Sequence, residues 1–362
     1  MTALADRLAA RTLELVDIPS ESGSEHAIRE HLLRLVPAGL AREYEGDEAF
    51  FFVPRSRRDV PLVVLVGHYD TVPAQANVPG VIRDRAVHGL GASDMKGGVA
   101  VAIELVRELT APARGPYDVG LVLFGREELP PEHNPLPALL AESSAIHETG
   151  LAIVLEPTDG RIEAGCLGNV IARLVFRGTS GHSARPWLAD NAIERAVAGL
   201  RPLLKLAPRA AVVGGLEFKE VVSVTRLESG IADNVIPGEA TATVNLRYAP
   251  DRTPDEAEAY LRSLTPPGAT LEISSNAAPA RAVTDTPLVR ALRRNGDIPI
   301  SPKQAWTNVA DFTATGIDAV NFGPGHTAYA HRQDELVEID ALVHVYETLE
   351  RFLGSPIDED PT

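Results

Sequence analysis

His68, Asp70, Asp94, Glu127, Glu128, Glu156 and His331 are the side chains of this sequence best equipped to do chemistry. Most stand at the ends of short apolar runs, in VVLVGHYDTVP, LVLFGREEL and AIVLEPT, or in the turns LGASDMKGG and VNFGPGHTAYAH. A fold can gather such positions even when they are far apart in the chain. Imidazole nitrogen and carboxylate oxygen suit a borderline cation such as Zn²⁺, with Co²⁺ or Mn²⁺ as the nearest alternatives. A set this rich can hold two ions and still leave one carboxylate free to move a proton. The chemistry it points to is metal-dependent hydrolysis.

Each residue also has a plainer use. His68 and Asp70, two apart on an extended backbone, share a face; they are a solvated loop pair, or a ligand with a carboxylate that orients it. Asp94 caps the following helix and Lys96 is a surface charge, or the flanking glycines let the backbone approach closely and present a shared ligand. Adjacent acids such as Glu127 and Glu128 usually mark a solvated turn, but here one could bind metal while the other faces the attacking water. Glu156, after AIVL, would be costly to bury without a partner. His326 and His331 compete for one role, and composition does not choose between them. His182, in GTSGHSARP, is a loop histidine satisfied by backbone, or a donor to a developing oxyanion when a lid closes. Arg185, Asn234 and Arg247 are structural, or they bind polar substrate groups; arginine forks favour carboxylates. GLGAS lacks a complete dinucleotide or Walker pattern.

These groups need elements to position them. Helical periodicity covers residues 4–16 and 26–35, and Phe50–Val53 and Pro61–Val66 read as neighbouring strands around the basic turn RSRRD. Val99–Leu109 has the pattern of a buried helix, and Val119–Phe124 and Ile153–Leu155 that of core strands. Long crossovers between short apolar strands predict α/β packing around a parallel or mixed sheet. Near Val170 the texture changes. Strands at 171–176, 220–225, 239–247 and 269–273, with helices at 190–204 and 255–264, give a β-α-β-β-α-β order that resembles a ferredoxin-like insertion. The expected organisation is a catalytic domain at 1–172 and 278–362, interrupted by a smaller α+β domain at 173–277. The tail from Gly354 to Thr362 is expected to fray.

Composition bounds the function. The chain has 362 residues and a net charge of −16, which disfavours nucleic acid and anionic membranes as partners. Only Lys96, Lys205, Lys219 and Lys303 are lysines, so arginine carries nearly all the positive charge. A single cysteine, Cys166, precludes an intrachain disulfide and fits a reducing compartment. No secretory h-region or run of about 18 apolar residues is present, so a soluble cytoplasmic protein is expected.

Taken in order, the words GHYDTVP, GASDMKGG, REE, LEPT, GTSGHSARP, NVIPGEATATVNLRYAP and NFGPGHTAYAHRQDE resemble the M20 family of dizinc amidohydrolases and peptidases over nearly the whole chain. GHSARPWLADNAI and IADNVIP narrow the likeness to succinyl-diaminopimelate desuccinylases of actinobacterial type. The resemblance implies a zinc-peptidase-like catalytic domain with a mixed central sheet and a ferredoxin-like dimerisation domain. It implies two Zn²⁺ per subunit, with Asp94 bridging and often followed by a cis peptide. His68 and Glu156 would complete one site, and Glu128 and His331 the other. Three carboxylates against two dications would leave the ligand set at a formal charge of about +1. Glu127 would be the general acid/base, Asp70 the carboxylate behind His68, and His182 a donor supplied across a homodimer. Asn234, Arg185, Arg247, Thr307, Gly323 and Gly325 would line the substrate. The reaction implied is release of succinate from N-succinyl-LL-2,6-diaminopimelate. N-acetylornithine deacetylation, other acyl-amino-acid hydrolysis, carboxypeptidase or dipeptidase activity, and an inactive scaffold are the alternatives. Two departures bear on substrate: Asp311 stands where relatives commonly present arginine, and Cys166-Leu167 stands where many relatives outside the nearest group have arginine-rich sequence.

Overall fold

The computed structural model describes residues 2–109 and 115–356; from Ile357 onward the expected frayed tail lies outside them. The chain divides into two compact units, one formed by Met1–Ala164, Val283–Ser301 and Asp311–Thr362, the other by Gly165–Ala282 and Pro302–Ala310.

The first unit is built on an eight-stranded mixed sheet. Its spatial order is Leu40–Glu45, Ala49–Pro54, Asp118–Phe124, Leu62–His68, Thr149–Val154, Ala319–Asn321, Ile162–Cys166 and Ile300–Lys303. Leu62–His68 runs parallel to both its neighbours, in register from Leu62 opposite Asp118 to His68 opposite Phe124. Every residue of Leu62–His68 and Asp118–Phe124 is buried, which explains why they read as unbroken apolar runs: a parallel strand is covered on both faces. Helices Ala3–Val16, Gly97–Leu109 and Ile339–Gly354 pack together and supply part of that cover. Gly97 through Val106 is buried without interruption.

The expected adjacency of residues 50–53 and 61–66 is corrected. Ala49–Pro54 pairs antiparallel with Leu40–Glu45 and Asp118–Phe124, and the latter strand separates it from Leu62–His68. The basic turn is therefore not a hairpin. It passes the end of the intervening strand, where buried Asp118 accepts from Arg57 Nε at 3.0 Å, Arg58 Nε at 2.9 Å and the Arg58 backbone at 2.9 Å.

The second unit has a five-stranded antiparallel sheet ordered Arg209–Val213, Leu216–Ser229, Glu239–Tyr248, Gly168–Arg177 and Ala269–Ala277. Arg209–Val213 and the extension of the next strand to Ser229 were not visible in the sequence pattern. Glu239–Tyr248 alternates buried and part-exposed residues, as a half-buried strand should. Its apolar face joins Ala192, Ala196 and Leu200 of helix Ala192–Leu203 and Ala257 and Leu261 of helix Pro254–Ser263 in one core. Asn191 caps the first helix, and Thr253 with Glu256 forms a capping box on the second. Among the described residues, no helix is long and apolar enough to cross a membrane.

The first unit's fit depends on close backbone approach at Gly98, where a Cβ would stand 2.4 Å from the Leu155 carbonyl oxygen. Gly98→Ala should lower stability by about 1–3 kcal/mol in urea unfolding. Gly354→Ala, with nothing within 4 Å of its Cβ, should leave the midpoint nearly unchanged.

Candidate active site

Three parallel strands end at the same edge of the first unit's sheet, where open α/β sheets gather functional groups. Leu62–His68 delivers His68, and buried Asp70 follows it. Asp118–Phe124 leads into Glu127 and Glu128, and Thr149–Val154 into Glu156. Asp70 ties two of these ends together. Its Oδ1 lies 3.4 Å from His68 Nδ1, and its two oxygens accept from the backbone N–H of Glu127 and Glu128 at 3.1 Å each. Ser22 Oγ donates to it at 2.6 Å. Burial pushes the Asp70 carboxyl upward, but His68 and these hydrogen bonds outweigh it and hold the group below its ordinary range.

Asp94 stands in the turn before helix Gly97–Leu109, and the Asp94–Met95 peptide is cis. Its Oδ1 is 3.2 Å from His68 Nε2, while its Oδ2 is 3.6 Å from His331 Nε2. Glu156 Oε1 lies 3.8 Å from His68 Nε2, and Glu128 Oε1 lies 2.8 Å from His331 Nε2. His68, Asp94 and Glu128 each offer a ligand atom within 4.8 Å of the others, a cluster able to hold a metal ion. His326 takes no part in this cluster: it is exposed and 3.9 Å from Asp159. Geometry thus separates the two histidines that composition left equivalent. The turns around Glu127 and His331 carry left-handed backbone at non-glycine residues, φ 58° at Arg126 and 61° at His331, as functional turns often do.

Gly323 and Gly325 are buried where a Cβ would meet the Leu155 and Glu156 carbonyls and Ser93 O, respectively; they permit close packing against the Glu156 and Asp94 segments. Lys96 is buried rather than a surface charge, and its Nζ donates to Ile18 O at 2.9 Å. Sequence reasoning missed Glu335, whose buried carboxylate accepts from the N–H of Gly91 and Ser93 at 2.9 Å and Asp94 at 3.0 Å. An acid directly before the apolar strand Leu336–Glu338 was the available signal, and it is a weak one.

The electrostatics fit a cation. Burial opposes charge on His68, yet Asp70 and Asp94 raise its pKa well above the ordinary value. The hydrogen bond to Glu128 pushes His331 up to about 9. Glu127 is driven well above the usual carboxylate range by burial, then by Glu156, Glu128 and Asp94, against the pull of His68. The pocket draws protons to offset its excess of acid, and a divalent ion satisfies the same demand.

In the second unit, His182 pairs with Val235 in a two-stranded ribbon, Gly181–His182 against Val235–Ile236. His182, Arg185 and Asn234 are all exposed there. Arg185 N donates to His182 O at 2.8 Å, and Ser183 N to Asn234 O at 3.0 Å. Ala184 N donates to His182 Nδ1 at 3.1 Å, so the neutral ring carries its proton on Nε2. Arg247 is half-buried and donates Nε to Asn245 Oδ1 at 3.0 Å. Burial lowers its pKa, and it pairs with no carboxylate among the described residues. Thr307 is buried, its hydroxyl without a hydrogen-bond partner among the described residues. Cys166 is buried with its thiol 3.7 Å from Thr307 O. Asp311 lies in the first turn of helix Val309–Ala314.

The sequence pattern of peptidase family M20/M25/M40 matches residues 64–355. The chain belongs to this family. A Mycobacterium tuberculosis relative assigned as a succinyl-diaminopimelate desuccinylase is 36% identical over 348 residues, 95% of this chain and 97% of that protein. The succinyl-diaminopimelate desuccinylase of Corynebacterium glutamicum is 34% identical, with 95% of each chain covered. Among solved structures, the aminopeptidase PepT of Bacillus cereus has a TM-score of 0.75 at 17% identity, covering 97% of this chain and 98% of that one. An M20 metallo-carboxypeptidase of Sulfolobus solfataricus also gives 0.75 at 17%, covering 98% and 99%. At such identities the likeness is one of fold. Membership of the M20 family and the clustered ligands together make this chain a metal-dependent amidohydrolase.

If His331 is a ligand, a cation must displace its proton. With its pKa near 9, the ring is protonated at pH 7, so apparent affinity should rise from pH 7 to 9 and binding at pH 7 should release at least one proton. Calorimetry in buffers of different ionisation enthalpy measures both; affinity flat across that range contradicts the assignment. His331→Ala should lose cation that His326→Ala retains, as read by elemental analysis after dialysis.

Proposed function

We propose that this chain is a cytoplasmic, homodimeric, two-cation amidohydrolase that cleaves N-succinyl-LL-2,6-diaminopimelate to succinate and LL-2,6-diaminopimelate. The observation that carries the two-cation reading is Asp94, whose two oxygens face different histidines. His68, Glu156 and Asp94 Oδ1 would hold one ion, and Asp94 Oδ2, Glu128 and His331 the other. Zn²⁺ suits the N/O donor set, with Co²⁺ or Mn²⁺ as substitutes. Bound there, the ions supply Lewis-acid polarisation of the scissile carbonyl and lower the pKa of the attacking water.

Glu127 is the proton carrier. It takes a proton as the water oxygen bonds to the amide carbon, then delivers it to the nitrogen as the C–N bond breaks. Its environment raises its proton affinity, which suits a group that must both accept and return a proton. Asp70 orients His68 and, through the Glu127 and Glu128 backbone, fixes the acid/base and a ligand together.

The second unit acts in this reading as a ferredoxin-like lid and dimerisation domain. Apart from the short edge strand Arg209–Val213 and the two-residue ribbon, its chain order of strand, helix, two long strands, helix and strand supports the first part. An edge of Leu216–Ser229 left open beyond Glu220 among the described residues, with exposed Leu227 on that strand and exposed Val197 on helix Ala192–Leu203, supports the second. His182 from the partner subunit would donate its Nε2–H to the oxyanion. Arg247, partly desolvated and without a carboxylate partner, suits a substrate carboxylate; Arg185, Asn234, Thr307, Gly323 and Gly325 complete the lining. The desuccinylases of M. tuberculosis and C. glutamicum, alike over 95% of this chain, favour the succinylated substrate.

Zinc-loaded enzyme should hydrolyse N-succinyl-LL-2,6-diaminopimelate in preference to N-acetylornithine and a dipeptide panel; preference for another compound keeps the chemistry and reassigns the substrate. Glu127→Gln should retain its cations while kcat falls about 10²–10⁴-fold. Mixing inactive Glu127→Ala and His182→Ala subunits should restore activity, and none in verified heterodimers removes His182 from its cross-subunit role.

A further inference from the structure

Glu335 has no place in the chemistry just described, yet its carboxylate is among the most heavily engaged in the first unit. It is 2% exposed and accepts three backbone N–H groups from a four-residue stretch, Gly91, Ser93 and Asp94. Its own carbonyl accepts from Gly89 N at 3.1 Å, and its N–H donates to Arg332 O at 3.2 Å. Immediately after it, Leu336–Glu338 pairs with Ala86–His88, on the approach to the same turn. Ser93 Oγ adds a bond to His326 O at 3.1 Å. Glu335 therefore sits where the Asp94 turn and the His331 loop meet. It is four residues from one ligand and hydrogen-bonded to the backbone of the other.

We propose that Glu335 is a positioning residue that locks the Asp94 turn to the His331 loop, so that both histidines see Asp94 at the separation a cation pair requires. The pairing of Leu336–Glu338 with Ala86–His88 sets the register only up to Leu336 and His88, and the residues that carry Asp94 and His331 lie beyond it. The His331 backbone is left-handed, and the residues around Asp94 depart from helical geometry at Asp94 and Met95. A single acceptor for three convergent N–H groups adds a rigid tie that reaches Asp94 itself, beside the bonds Gly89 N to Glu335 O and Ser93 Oγ to His326 O. A shorter or neutral side chain cannot satisfy all three: aspartate falls short by one methylene, and the amide of glutamine turns an N–H toward N–H groups.

The proposal rests on the reading of Asp94 and His331 as ligands, and the test separates the two. Wild type, Glu335→Gln, Glu335→Asp and Asp118→Asn are compared for Zn²⁺ affinity by chelator competition and for the visible spectrum of the Co²⁺ form. Asp118→Asn removes an equally buried acid that serves Arg57 and Arg58. Both Glu335 variants should bind Zn²⁺ about 10–100-fold more weakly with an altered Co²⁺ spectrum, while Asp118→Asn should keep wild-type affinity and spectrum despite a lower melting point. Wild-type affinity and spectrum in the Glu335 variants overturn the proposal, as does an equal loss in Asp118→Asn. Variants that fold only with added cation support it; variants that fail to fold at saturating cation assign Glu335 to the fold at large and overturn it. Absence of cation binding by wild type removes the ligand reading itself.

Discussion

The site depends on buried carboxylates that hold backbone rather than cation. Asp70 receives the N–H groups of Glu127 and Glu128 while its Oδ1 lies beside the His68 ring. Glu335 receives those of Gly91, Ser93 and Asp94. Hydrogen bonds to a charged acceptor contribute about 1.5–3 kcal/mol each, enough to offset part of the cost of burying an acid and to select one conformation of a turn. Each carboxylate converts a loop, mobile by default, into an extension of the sheet. The acids meant for a metal can then crowd together, because the strain of crowding is borne by a framework already fixed.

That crowding is visible in the titration behaviour. Glu127 is pushed up by burial and by its acidic neighbours, and His331 by Glu128. Asp70, as buried as any of them, moves the other way because its partners donate to it. Asp70 and Glu127 thus have opposite tendencies, while at Glu335 burial outweighs its three N–H donors and pushes the carboxyl up to about 7. Such a separation suits the proposed division of labour, with Asp70 as anchor and Glu127 as proton carrier.

Much of this was legible in the sequence. His68, Asp94, Glu128 and Glu156 each follow an apolar run or a glycine-flanked turn, and the structure brings them together with His331 from far along the chain. Helix His26–Leu35 and the mixed sheet followed from periodicity and crossover length. The misplaced neighbour of Ala49–Pro54 shows the limit of that reasoning: apolar pattern marks a strand but does not say which strand lies beside it. Asp118, on the intervening strand, accepts from Arg57 and Arg58 where the connection passes the end of that strand. Strand Arg209–Val213 escaped notice because it follows a helix after only the five residues 204–208 and is only partly buried. Glu335 escaped because its partners are backbone N–H groups, which every residue but proline possesses and no sequence pattern advertises.

The sheet of the first unit has a consequence for how the protein is made. Ala319–Asn321 lies between Thr149–Val154 and Ile162–Cys166 in the sheet, although the chain runs through the whole second unit before reaching it. Synthesis proceeds from the N-terminus, so a nascent chain that has already built the second unit still has a gap in its catalytic sheet. His331 and Glu335 emerge only after that gap can close. Until then the chain displays His68, Asp94 and Glu128 without their later companions. Under the proposed ligand set, the histidine of the second cation is thereby supplied only after the whole second unit has been translated.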